Sequence, residues 1–211
     1  MIHNTDVKSP RRAYASDLRD QQAEATRTRI LEALVRTMAN GVAALSIPSV
    51  AREAGVSIPT IYRHFGSKQG LVEALNPYVL AKGGLMPEKL PETIAEFEPM
   101  ARQMFRNLAG MDLTLRAAMA SDLGQQVRRA TMPKRLEKIR EVIGRFAPDV
   151  PDGERDRLVS LALILMSTPS FHAYKDYLGL GPDASAKLVS WAIGTLVEGA
   201  RHRAADKEVS T

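Results

Sequence analysis

The stretch from Leu45 to Phe65, LSIPSVAREAGVSIPTIYRHF, carries its own start and stop signals for two short helices joined by a glycine turn. Ser46 is placed to cap the first helix and Ser57 the second, because a serine hydroxyl accepts an orphan amide at a helix start. Pro48 falls in the first turn, where no intrahelical amide bond is lost. Gly55 falls in the turn, where left-handed backbone costs a residue with a Cβ about 1 kcal/mol or more. Ala51 is small enough for the helices to cross closely, Ile61 seals the corner, and Val50, Ala54 and Val56 fill the core beneath. The segment reads as a helix-turn-helix, the device by which a chain presents a helix to DNA.

The second helix is left with an outward face of Ile58, Pro59, Thr60, Arg63 and His64, flanked by Tyr62 and followed by Lys68. In such motifs the first turn of the second helix touches base edges, while hydroxyl, ring-nitrogen and ammonium groups fix the backbone. Ile58, Pro59 and Thr60 are expected to meet thymine methyls and base edges. Arg63 is expected to read a base or a phosphate, with Tyr62, His64 and Lys68 holding phosphates. The bland alternative is a helical hairpin with exposed Arg and His, against which glycine, both caps and the apolar seal all agree.

The segment from about Thr26 to Leu75, TRTRILEALVRTMANGVAALSIPSVAREAGVSIPTIYRHFGSKQGLVEAL, resembles the DNA-binding domain of the TetR family of bacterial transcriptional regulators. The first helix, Gly41 at its end, Leu45 and Ser46, the AREAGVS turn, the TIYRHF recognition helix and the GSKQGLVEAL restart follow the family's order and spacing. The resemblance covers about a quarter of the chain. It implies a C-terminal domain that dimerises and takes a small-molecule effector, without naming the effector.

The 211 residues, 45% apolar and 25% charged, are enough for one small and one larger packed unit. There is no cysteine, so disulfides and thiolate chemistry are excluded and a reducing compartment is expected. No signal peptide is visible, and no uncharged stretch reaches the ~20 residues a bilayer requires. A bacterial cytoplasmic, nucleoid-associated protein without membrane contact is the expectation. Residues 1 to 70 carry ten Lys and Arg against six Asp and Glu, so +4 of the net +5 lies on the motif side. A positive surface there attracts a polyanion and makes affinity fall with salt.

Residues 1–23 are polar and without apolar periodicity, and read as a flexible tail. Lys8, Arg11 and Arg12 could reach a minor groove or could simply be solvated. From Glu24 to Ala39, Ile30, Leu31, Leu34, Val35 and Met38 form the stripe of an amphipathic helix. It is expected to complete a three-helix domain over residues 24–70, with Thr26 and Arg27 at its N-terminal end as phosphate contacts. Ser67 is placed to cap a fourth helix through Leu71, Val72, Leu75, Val79 and Leu80. Pro77 predicts a kink near Glu73 to Asn76 or a break there.

Residues 71–211 read as a helical effector-binding and dimerisation domain. One helix is expected from about Glu92 to Leu108, another from Asp112 toward Arg129, and a third from Pro133 to Phe146, ended by Pro148. No alternating run of β-branched residues appears, so the chain is all-α: an N-terminal three-helix helix-turn-helix domain and a C-terminal helical domain. LVSLALILM (158–166) and LVSWAIGTLVEGA (188–200) are apolar on nearly every side and must be covered all round. A two-fold dimer meets that need through a four-helix bundle, which the resemblance also implies. Leu158, Leu161, Leu165, Leu188 and Trp191 are candidates for that seam, with Ala192, Thr195 and Gly199 allowing close approach. An internal core pair in a monomer is the alternative. Two heads on a two-fold axis would match a palindromic operator in double-stranded DNA.

Candidates for an effector pocket are Met100, Met104, Phe105, Met111, Met119, Met132, Met166, Phe171 and Tyr174, each of which could equally be core. Arg102, Arg106, Arg116 or His172 could pair with an acidic group on a ligand or be solvated. Arg128, Arg129, Lys134, Arg135, Lys138, Arg140 and Arg145 read as an exposed basic face, with partner binding open. No catalytic or cofactor signature is present: the histidines His3, His64, His172 and His202 lack metal-binding spacing, and no GxSxG, P-loop or dinucleotide fingerprint occurs. No enzyme activity, metal or cofactor is expected.

Overall fold

The computed structural model describes residues 10–40 and 46–209, with side chains over 17–40 and 46–205. Among the described residues there are ten α-helices and no strand, which is the all-α class expected. Lys8, Gly41 and Leu45 lie outside the described residues, as do the side chains of Arg11 and Arg12. The chain divides into two compact units, residues 1–78 with 113–127, and residues 79–112 with 128–211.

The first unit holds α1 (Pro10–Ala39), α2 (Ile47–Ala54), α3 (Ile58–Phe65), most of α4 (Lys68–Lys82), α6 (Leu113–Ala120) and the start of α7 (Asp122–Phe146). Its core is the α1 stripe of Ile30, Leu34, Val35 and Met38, closed by Val50, Ala51 and Ala54 of α2, Ile61 and Phe65 of α3, and Leu71 and Leu75 of α4. Each such aliphatic side chain contributes about 1.5–3 kcal/mol on full burial. α6 packs against α1 and supplies Leu115 and Ala118. The 24–70 and 71–211 boundaries did not anticipate this, since a segment some forty residues beyond the motif lies with it.

Helix α1 starts at Pro10, so residues 10–23 are helical where a flexible tail was expected. Residues 17 to 25 are all exposed, and a helix with no buried face shows no apolar period to detect. Helix α4 runs through Pro77 without a break. Helix α7 likewise starts at Asp122 and runs through Pro133, the residue expected to begin it. A proline removes one intrahelical hydrogen bond and crowds the turn before it, a cost of about 3 kcal/mol that tertiary burial of the rest of a long helix can exceed.

The second unit holds the last turn of α4, α5 (Ile94–Ala109), most of α7, α8 (Asp152–Leu165), α9 (Thr168–Leu178) and α10 (Pro182–Val209). α5 and α10 are its central pair. Phe97, Ala101, Phe105 and Leu108 face Ala186, Val189, Ile193, Val197 and Ala200, both sets recurring at three and four. Local signals mark the helix ends. Thr93 Oγ1 accepts the Glu96 amide at 3.3 Å while the Glu96 carboxylate accepts the Glu92 amide at 2.9 Å. Ser167 Oγ accepts the Ser170 amide, and Gly179 ends α9 at φ 65°.

Candidate nucleic-acid interface

Helix α2 is capped as its sequence dictates: the Ser49 amide donates to Ser46 Oγ at 3.4 Å, and Pro48 stands in the first turn. Gly55 ends it at φ 63°, and the Gly55 amide donates to the Arg52 carbonyl at 3.2 Å. Helix α3 then starts at Ser57, whose Oγ accepts the Thr60 amide at 3.3 Å and shares a hydrogen bond with Thr60 Oγ1 at 2.8 Å. A serine cap of this kind is worth about 1 kcal/mol. Ala51 and Ile61 are buried at the crossing, as a close approach and an apolar seal require.

With Ile61 and Phe65 turned inward, α3 shows Ile58, Pro59, Tyr62 and Arg63 to solvent, and Thr60 and His64 are half-buried beside them. Ile58 and Tyr62 are 38% and 43% exposed, large apolar surface for residues that have no covering element. Lys68 is exposed at the first position of α4. Ser67 Oγ accepts the Gly70 amide at 2.9 Å and fixes where that helix begins.

Gly70 was not singled out by sequence, yet it sets the spacing of this corner. A Cβ at residue 70 would stand 2.1 Å from the Phe65 carbonyl oxygen, so only glycine lets α4 start hard against the end of α3. Its one legible trace is a glycine in the first turn of a helix, where propensity disfavours it.

Thr26 and Arg27 are placed differently from the expectation. Because α1 starts at Pro10, both lie in the helix interior, where the amides are already bonded and no positive dipole end collects. Thr26 Oγ1 donates to the Gln22 carbonyl at 2.9 Å. Arg27 Nη1 donates to the His64 carbonyl at 3.1 Å, and its guanidinium lies 4.5 Å from the Phe65 ring centroid. Arg27 therefore clamps the C-terminal end of α3, neutralising a helix-end carbonyl and stacking on the aromatic beneath it.

In the second unit, the effector candidates fall into two groups. Phe105 stacks on Phe171 with centroids 5.1 Å apart and meets Tyr174 edge-on at 6.3 Å, while Tyr174 Oη donates to the Leu165 carbonyl at 3.0 Å. These rings fill one another's space, with Phe105, Met166 and Phe171 buried. Met100, Met104 and Met132 are half-buried, and Met119 belongs to the first unit, on α6. Arg116 is on α6 as well. Arg102 pairs with Glu98, and Arg106 holds Asp183 through two bonds of 2.8 and 2.7 Å. The Arg106 hydrogen bond holds the Asp183 carboxyl below its ordinary value.

The seam candidates also separate. Leu158 is buried within the unit, because α8 turns Leu158 and Ala162 inward, so it is core. Leu161 is 43% exposed and Leu165 half-buried. On α10, Leu188, Trp191, Ala192, Thr195 and Gly199 share a stripe at helical spacing opposite the buried one, and none of them is buried. Trp191 is 68% exposed and Ile164 of α8 60%.

A capped, glycine-turned pair of short helices whose second member is exposed is the geometry of a helix-turn-helix. Residues 30–75, from the core stripe of α1 through α2 and α3 to the start of α4, match the family model of bacterial regulatory proteins, tetR family. No curated protein matches the chain. A solved transcriptional regulator from Rhodococcus sp. Rha1 has the same fold at 20% identity, with a TM-score of 0.53 over 82% of this chain and 97% of that one. A candidate TetR-family regulator from Mesorhizobium loti aligns at 18% identity over 84% of this chain and 95% of that one, with a TM-score of 0.45. Among the described residues no helix is long and apolar enough to cross a membrane.

Proposed function

We propose that the protein is a homodimeric repressor that occupies a palindromic operator in double-stranded DNA and is released by a small molecule. The observation that carries the reading is the exposed α3 stripe of Ile58, Pro59, Tyr62 and Arg63, with Lys68 beside it, on a corner rigid enough to present it. Thr60 reaches bases and His64 the backbone on the same face. Ser46 and Ser57 already accept helix amides, and orient the two helix starts toward phosphates rather than offering free hydroxyls.

The dimer is supported by the uncovered α10 stripe around Trp191 together with Leu161 and Ile164 of α8. A monomer would leave these in water, whereas an isologous pair of α8 and α10 covers them. Release by ligand is supported by the two helices, α4 and α7, that contribute residues to both units. A ligand that prefers one conformation of the second unit shifts these helices, and by linkage DNA weakens that ligand's binding by the same factor. A coupling of about 1–3 kcal/mol gives a useful switch.

A second reading, a DNA-binding protein of the same fold without an effector, is favoured by the Phe105, Phe171 and Tyr174 cluster, which leaves no gap between its rings. Selection of bound sequences from a random duplex pool at two salt concentrations tests the main reading. A palindromic consensus whose affinity falls with salt is expected. No enrichment at either salt overturns it in favour of a protein-interaction module, and an operator that no small molecule releases favours the second reading.

A further inference from the structure

The arginines of the second unit differ in what they face. Of those half-buried, Arg102 reaches Glu98, Arg145 reaches Glu92 and Glu141, and Arg155 reaches Asp152. Arg135 of α7 is half-buried too, yet makes no hydrogen bond or ion pair among the described residues. It stands two turns from Arg128, a charge of its own sign, on the same side of the helix. Burial first, and then the Arg128 charge, push the Arg135 guanidinium below its ordinary value. A cation withdrawn from water without a carboxylate is a standing cost that an arriving anion removes.

The same helix changes character along its length. Val142, Ile143 and Phe146 are buried, whereas Met132, Leu136 and Ile139, which share their side of the helix, are only half-buried. The core side of α7 is therefore incompletely covered over the turns that carry the two arginines. Apolar side chains left half-wet beside an unpaired, desolvated cation are complementary to one kind of ligand, an apolar body with an anionic end.

We infer that this face of α7 binds a small amphipathic organic acid, its carboxylate held by Arg135 and its apolar body lying along Met132, Leu136 and Ile139. Guanidinium suits a carboxylate because its planar fork offers paired donors. This deepens the ligand-responsive reading by naming the effector's class, and rests on that reading for its regulatory meaning.

The test is calorimetric titration of the purified full chain, without DNA, with straight-chain carboxylates from hexanoate to dodecanoate. The matching alcohols and inorganic phosphate are run as controls. A carboxylate is expected to bind, its alcohol roughly tenfold or more weakly, and phosphate not to compete. Arg135→Gln should weaken the carboxylate about tenfold, while Arg140→Gln, whose parent residue is exposed and paired with Asp156, should leave it unchanged. Ligand-free Arg135→Leu should melt at a higher temperature than the parent chain, since it removes an unpaired cation. The inference is overturned if no carboxylate binds, if acid and alcohol bind alike, if phosphate alone competes, or if Arg135→Gln changes nothing. The same carboxylates are then added to the operator complex. Binding without release sinks the ligand-responsive reading and spares the site, and release by some other molecule when no carboxylate binds does the reverse.

Discussion

The α2–α3 corner and the long helices α5, α7 and α10 are stabilised in different ways. Around α3, elements are eight residues long and each boundary is set by its own residues: Ser46 and Ser57 at the starts, Gly55 and Gly66 at the ends. In the second unit, α5, α7 and α10 run for 16, 25 and 28 residues, and α5 and α7 pass through prolines. Short helices cannot be held by packing alone, so their ends must be written locally. Long helices draw stability from buried faces and tolerate a missing hydrogen bond.

That contrast can be broken most severely at Ile61. Ile61→Ala removes a fully buried side chain from the first unit's core and should cost about 2–5 kcal/mol, read as loss of that unit's transition in denaturant melts. A comparable loss from an equally buried position such as Ile193→Ala, with both units unfolding together, would show that the two are not separately cooperative.

Next in size is Trp191→Asp. Placing a charge on the exposed α10 stripe should convert the proposed dimer to monomer in sedimentation equilibrium and lower operator affinity at least about tenfold, with the helical signal unchanged. An unchanged mass would leave the stripe without a partner.

Arg27→Ala should cost roughly 1–3 kcal/mol in stability, because it removes both the bond to the His64 carbonyl and the Phe65 stacking, while the salt slope of DNA binding stays as it was. Lys68→Ala should do the opposite, lowering that slope by about 1 for all sequences with no change in melting. A slope change in Arg27→Ala would restore it to the phosphate contacts. Thr60→Ala should shift base preference, each specific contact being worth roughly 1–3 kcal/mol.

The smallest effect belongs to Asp183. Its folded value is depressed by the Arg106 hydrogen bond, so the stability it adds is present above the unfolded carboxylate's value and is lost as pH falls through the lower folded one. Asp183→Asn should flatten the acid side of the stability profile slightly, measured by melting in mildly acidic buffers. The pair is exposed and screened, so a large change would mean that α10 depends on it more than its geometry suggests.

What could be read in the chain follows the same division. Gly55, Ser46, Ser57 and Ile61 act within a few residues of themselves, so their roles were legible from spacing. The start of α1 was not, because an exposed helix leaves no apolar period. Pro133 argues locally for a helix start that distant packing overrides, while Pro77, where a kink or a break was expected, does not end α4. Leu158 and Trp191 sit in equally apolar words, yet one is core and the other exposed. Only the placement of α5, α8, α9 and α10 together decides which face is already occupied. Arg135 looked like one more residue of a basic run, and what distinguishes it, the lack of an acid, is a fact about its neighbours.

Helix α6 carries a consequence for how the chain is made. The first unit is discontinuous, closing only when Leu115 and Ala118 reach α1. During synthesis α3 emerges early, but its supporting unit stays incomplete until residues 113–127 have followed. A gene fragment ending after α4 would therefore encode the reading helix with one side of α1 bare, inviting aggregation. The smallest self-sufficient reading head reaches past residue 120 and must carry the intervening α5 as a loop.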